Sequence, residues 1–124
     1  MIEWLEKNRY AAIILTMLIA AEIFYFSSIP GGSPGMGGGI RISIIYHFLV
    51  FFLFSFFLLL SIIGNKKIKI SYVVITLIIS VIYAVLDEFH QMFVAFRNPS
   101  IQDVLTNTIG IFSSIILYFY YRKK

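Results

Sequence analysis

Four uninterrupted apolar runs, near Tyr10–Ser28, Ile42–Ile63, Ile70–Phe89 and Ile101–Tyr121, constrain this chain more than any other feature. Each is long enough to cross a hydrocarbon core of about 30 Å as a helix, which takes roughly 20 residues. Their many Ile, Val and Phe residues also suit strands. However, the runs are continuous where a half-buried strand would alternate, and a spanning helix satisfies every backbone polar group within itself. The expected fold is therefore all-α: a polytopic membrane protein with four transmembrane helices in a compact bundle, forming one domain over residues 1–124. A composition of 60% apolar and 13% charged residues excludes an ordinary water-soluble domain. With no cysteine, disulfides and thiolate chemistry are excluded as well.

The first run is expected to be a retained helix. Glu3 and Glu6 spoil the basic flank of a signal peptide, and Ile19-Ala20-Ala21 offers no small residue three before the break. Orientation follows from the basic residues. Lys7, Arg9, Lys66, Lys67, Lys69, Arg122, Lys123 and Lys124 fall on one side, against Arg41 and Arg97 on the other. The positive-inside rule predicts cytoplasmic N- and C-termini in the plasma membrane of a prokaryote. The same distribution explains the net charge of +4 without nucleic acid. Residues 31–39, which hold six of the eight glycines, form a connector. They lack the G-x-x-x-x-G-K-[ST] pattern, so no nucleotide is expected as cofactor; haem is not expected either.

Polar residues then crowd one stretch. Asp87, Glu88, Gln91, Arg97, Ser100, Asp103 and Asn107 lie between and beside the third and fourth runs. Ionisable groups at the edge of hydrocarbon cost several kcal/mol each unless they are paired or hydrated. At i,i+4 spacing Asp87 and Gln91 share a helix face, as do Asp103 and Asn107. Asn98-Pro99 breaks the chain, and Ser100 with Asp103 at the third following position reads as a reciprocal N-cap. These residues predict a helical hairpin whose polar faces meet, with Arg97 in the turn pairing the acids. Glu22 on the first helix and His47 on the second are expected at the same outward level. The expectation is one cavity bringing together Glu22, His47, Asp87, Gln91, Arg97, Asp103 and Asn107.

The chain resembles the VanZ-like family of small membrane proteins over most of its length. The resemblance rests on Phe26-Ser27-Ser28, on His47, and above all on Asp87-Glu88-x-x-Gln91, Arg97-x-x-Ser100-x-x-Asp103 and Asn107-x-x-Gly110. Ile44 stands where the family often carries a charged residue, and the mid-helix glycine usual in the second span is absent. The resemblance implies the fold and a place in the cell envelope, with a link to glycopeptide antibiotic resistance. It implies no particular reaction.

Three functions fit these residues. In an enzyme acting on a lipid or lipid-linked headgroup, Glu22, His47, Asp87, Glu88 and Asp103 are the acid/base candidates. Gln91, Arg97, Ser100 and Asn107 would then bind substrate, and Arg97 can clamp a phosphate or carboxylate. A divalent cation held by Asp87, Glu88, Asp103 and His47 fits the same inventory. A non-catalytic accessory or binding protein uses the cluster for recognition alone. A transporter or flippase protomer is the third, and four helices would require it to be an oligomer. Against all three stands a purely structural network that fixes helix register.

Overall fold

The structure, a computed structural model, describes residues 1–31 and 39–122, and side-chain placement from Ile42 onward in the second of these segments. The glycine-rich connector, Lys123 and Lys124 lie outside the described residues. The chain is all-helical where described: α1 (Ile2–Lys7), α2 (Arg9–Ser28), α3 (Gly39–Ile63), α4 (Ile70–Gln91) and α5 (Ile101–Arg122). Four helices, within the bounds Arg9–Ser28, Ile42–Ile63, Ile70–Gln91 and Ile101–Arg122, are long and apolar enough to cross a membrane. These match the four expected spans, with the third running two residues further, to Gln91.

The ends of the helices follow from local chemistry. Ile29 leaves α2 in extended backbone (φ −75°, ψ 130°), as the residue before Pro30 is biased to do. Gly64 takes the left-handed conformation (φ 52°) just beyond α3, and its N–H donates to Leu60 O at 2.9 Å. The side chain of Arg9 lies over this glycine, and its Nε donates to Ser61 O at 2.7 Å.

Packing centres on α3, which contacts each of the other four helices, while α2 and α5 share no comparable contact. Phe51, Phe54, Leu59, Leu60 and Ile63 of α3 belong to one buried core with Ile111, Ile115 and Tyr118 of α5, and the rings of Phe51 and Phe54 meet Tyr83 of α4. Outward faces are apolar instead of charged: Ile14, Met17, Ile78, Ile82, Ile109, Phe112 and Ile116 are all exposed. That inside-out surface is what lipid requires of a spanning bundle. The α3–α5 seam is close because Gly110 faces the backbone of Phe48 and Phe52, where a Cβ would collide with Phe48 O. Asn107, Gly110, Ile111, Ser114, Ile115 and Tyr118 make one buried stripe on α5, at the i, i+3, i+4, i+7 spacing of a helix face.

Helix α1 has no counterpart among the four expected spans. It buries Ile2, Leu5 and Glu6, and Glu6 Oε1 accepts from Tyr118 Oη at 2.6 Å and pairs with Arg122 Nη2 at 3.0 Å. Tyr118 is thus a fully buried part of the core, whereas Tyr120 and Tyr121 are exposed. These contacts place both ends of the described chain, together with the Lys66–Lys69 turn, at one end of the bundle. The polar hairpin stands at the other.

Gly110→Val tests the seam. A side chain directed at helix backbone is not relieved by a rotamer change, so we expect a loss of about 1–3 kcal/mol, measured by reversible unfolding in mixed micelles. An unchanged midpoint would show that α3 and α5 do not approach as described.

Candidate functional site

At the hairpin end, Asp87 and Glu88 leave α4 about 100° apart and turn to different neighbours. Asp87 faces α2: its Oδ1 accepts from Ser27 Oγ at 2.5 Å and its Oδ2 from Gln91 Nε2 at 3.2 Å. Glu88 faces α5: its Oε2 accepts from the backbone N–H of Ser100 at 3.1 Å. Ser100 Oγ in turn accepts from Asp103 N at 3.1 Å, the expected N-cap bond. The reciprocal half of the cap differs from expectation, since Glu88 from the preceding helix occupies the place foreseen for Asp103. Asp103 instead lines a small recess of about 200 Å³ with Ser43, Ile44, Ser100 and Gln102.

Arg97 also differs from expectation. Its Nε donates to Ile29 O at 2.9 Å and its Nη2 to Phe26 O at 2.6 Å, so it clasps carbonyls at the end of α2. Among the described residues the Lys/Arg–carboxylate pair is Arg122–Glu6, at the far end of the bundle. Ser28 Oγ meets His90 Nε2 at 2.9 Å, and Gly31 N donates to Ala95 O at 2.9 Å. Phe96 takes a left-handed backbone (φ 58°), and its carbonyl rests against Gly31, leaving no room there for a Cβ. The Phe26-Ser27-Ser28 motif is therefore the strip of α2 gripped by the end of α4 and the turn after it.

His47 completes the arrangement from α3. Its Nδ1 lies 3.0 Å from Asn107 Oδ1, across the seam that Gly110 keeps narrow. One ring nitrogen of His47 and one carboxylate oxygen each from Asp87 and Glu88 fall within 4.8 Å of one another. All three residues are buried. Beside them lies a cavity of about 640 Å³ lined by Glu22, Phe26, Ser27, Ile42, Ser43, Tyr46, His47, Gln91 and Arg97. Of the seven residues expected around one cavity, Glu22, His47, Gln91 and Arg97 line it. Asp87 and Asn107 stand behind it, bonded to Gln91 and His47, and Asp103 belongs to the separate recess.

Several polar atoms keep unused capacity. Among the described residues the buried Tyr46 Oη, Glu88 Oε1 and Asn107 Nδ2 have no hydrogen-bond partner. Ser27 and Tyr46 were not among the residues singled out for chemistry from sequence. Ser27 gave a signal only through the Phe26-Ser27-Ser28 motif, and Tyr46 only by standing next to His47.

The VanZ/LLP1 family model matches residues 11–122, and the chain belongs to this family. No curated protein and no solved structure matches it significantly. The matched range takes in the first span from its third residue on, the other three spans and both halves of the polar hairpin.

Glu88→Gln and Glu88→Ala should separate. Gln retains an acceptor for Ser100 N–H, whereas Ala strands a helix-terminal donor and opens space. We expect Glu88→Ala to lose about 1–3 kcal/mol more than Glu88→Gln in micelle unfolding. Equal losses would show that the Glu88–Ser100 bond does not hold the start of α5.

Proposed function

We propose that the 640 Å³ cavity receives the anionic headgroup of a lipid or lipid-linked envelope molecule from the outer leaflet of a prokaryotic plasma membrane. The observation that carries this reading is the lining itself: apolar Phe26 and Ile42 beside Tyr46, Ser27, His47, Gln91 and Arg97, with the acid Glu22 on the same wall. Its volume is in the range of small-molecule sites, which pair apolar walls with a few convergent polar groups. Two donor hydrogens of Arg97 hold backbone carbonyls, and a guanidinium has five. The remainder suit a phosphate or carboxylate, and the fixed guanidinium needs no further ordering on binding. The buried Tyr46 hydroxyl, without a partner among the described residues, is a further donor for such a ligand.

Outward placement of the cavity is part of the same proposal and rests on the Lys and Arg distribution. A role in glycopeptide resistance belongs to the same proposal, since a protein that holds an envelope headgroup alters what such an antibiotic meets. Catalysis is a second reading, favoured by one residue. His47 both lines the cavity and approaches Asp87 and Glu88, the setting of a general base with acidic neighbours.

Single-cysteine variants test orientation cleanly because the chain has no cysteine of its own. Asn98→Cys should react with an impermeant thiol reagent from outside, and Lys67→Cys only after permeabilisation. The reverse pattern would move the cavity to the cytoplasmic leaflet.

Tyr46→Phe tests the headgroup. It removes a hydroxyl that holds nothing within the described protein, so stability should stay level or rise. Retention of phosphatidylglycerol over phosphatidylcholine, read by native mass spectrometry, should fall about tenfold, the equivalent of one good hydrogen bond. Arg97→Lys should weaken that preference nearly as much as Arg97→Ala, because an ammonium cannot reproduce the planar fork. Unaltered preference in both Tyr46→Phe and Arg97→Lys would show that the cavity does not bind the headgroup.

A further inference from the structure

We infer that His47, Asp87 and Glu88 form a binding site for a divalent transition-metal cation, with Asn107 as the group that orients the histidine. Three donors from two helices lie within 4.8 Å of one another. The donors of a single ion, at about 2.1 Å from it, stand roughly 3.0–4.2 Å apart, so side-chain adjustments of about an ångström seat all three.

Hydrogen bonding fits this assignment atom by atom. The carbonyl oxygen of Asn107 can only accept, so Nδ1 of His47 carries the hydrogen at 3.0 Å and Nε2 presents its lone pair. A metal-ligating histidine almost always spends its second nitrogen this way, on a partner that fixes ring orientation. Glu88 gives Oε2 to Ser100 N, leaving Oε1 buried and unpartnered in a residue only 5% exposed. Asp87 is held by Ser27 and Gln91, both neutral donors, so neither supplies the opposite charge that its carboxylate lacks. Arg97, the cation in the following turn, spends its Nε and Nη2 on backbone carbonyls. Two buried carboxylates and one imidazole thus stand together without a bonded cation among the described residues. A divalent ion balances both charges at once.

The donor set decides the class of ion. One nitrogen with carboxylate oxygens suits Mn²⁺ or Zn²⁺ over Ca²⁺ and Mg²⁺, which favour oxygen alone. Three protein ligands leave positions open, as in metal sites that also take water or a ligand oxygen. His47 lines the cavity, so those positions have access to it. The site stands apart from the headgroup reading, because metal binding is measured with no anionic lipid present.

The test uses the full chain in neutral detergent, stripped with chelator and reloaded with Mn²⁺ or Zn²⁺ alone. We expect a single ion per chain by elemental analysis, and a histidine nitrogen coupling in the pulsed EPR spectrum of the Mn²⁺ form. His47→Gln should abolish that coupling, and Glu88→Gln, which keeps an acceptor for Ser100, should weaken binding at least tenfold. The wild-type spectrum alone decides the matter should either variant fail to fold. A folded wild-type protein that retains no ion, or an ion without nitrogen coupling, overturns the inference. So does binding that both variants leave unchanged.

Discussion

Two adjacent carboxylates at the end of α4 set the geometry of the polar end of this protein. Asp87 binds the last turn of α2 through Ser27, and Glu88 binds the first residue before α5 through its backbone N–H. Because neighbouring residues on a helix diverge by about 100°, one short segment of α4 reaches two helices in different directions. The first bond is buried and the second partly so, and a lost partner there leaves a charge or a donor stranded. The ends of α2, α4 and α5 are therefore fixed relative to one another before any ligand arrives. α3 joins them through His47 and Asn107, at a seam that only a residue without a Cβ permits.

The spans were legible because length and continuous apolarity are properties of the chain itself. So was the grouping of Asp87 with Gln91, which needs only the helical period. Pairings across long sequence separations were not legible in the same way. Glu6 and Tyr118 lie 112 positions apart, and a six-residue α1 is too short to show a period. Arg97 is the most instructive case. A lone arginine among acids suggests an ion pair, yet the carbonyls at the end of α2 also accept and are the groups within its reach. Side-chain composition carries no trace of them. Glu88 shows the converse, taking the capping place that spacing alone assigns to Asp103.

The two ends of the bundle solve the same problem differently. At the basic end, Glu6 is met by a phenol and a guanidinium, and the charges cancel within the group. That end has the character of a staple, holding α1 across α5. At the hairpin end the acids are met by hydroxyl, amide and backbone donors, which orient a carboxylate without neutralising it. The geometry is equally well held, but neither acid has a bonded cation among the described residues.

On the proposed reading, unused bonding capacity is what separates a structural network from a site. A network that served only to fix helix register would use up its hydrogen-bonding capacity, since each buried unpartnered group costs about 1–3 kcal/mol. Here Glu88 Oε1, Asn107 Nδ2 and Tyr46 Oη are left open, and each belongs to a residue bonded to, adjacent to or grouped with His47. Ser55 Oγ and Ser80 Oγ are also buried and open, but they lie roughly 10–12 Å further along α3 and α4 and are uncharged. A serine hydroxyl is tolerated in a helix interior because it can turn to its own backbone. A carboxylate oxygen cannot, having no hydrogen to give. On the proposed reading, the open capacity around His47 is of the kind that a cation and a polar ligand satisfy, and the surrounding bonds fix its geometry.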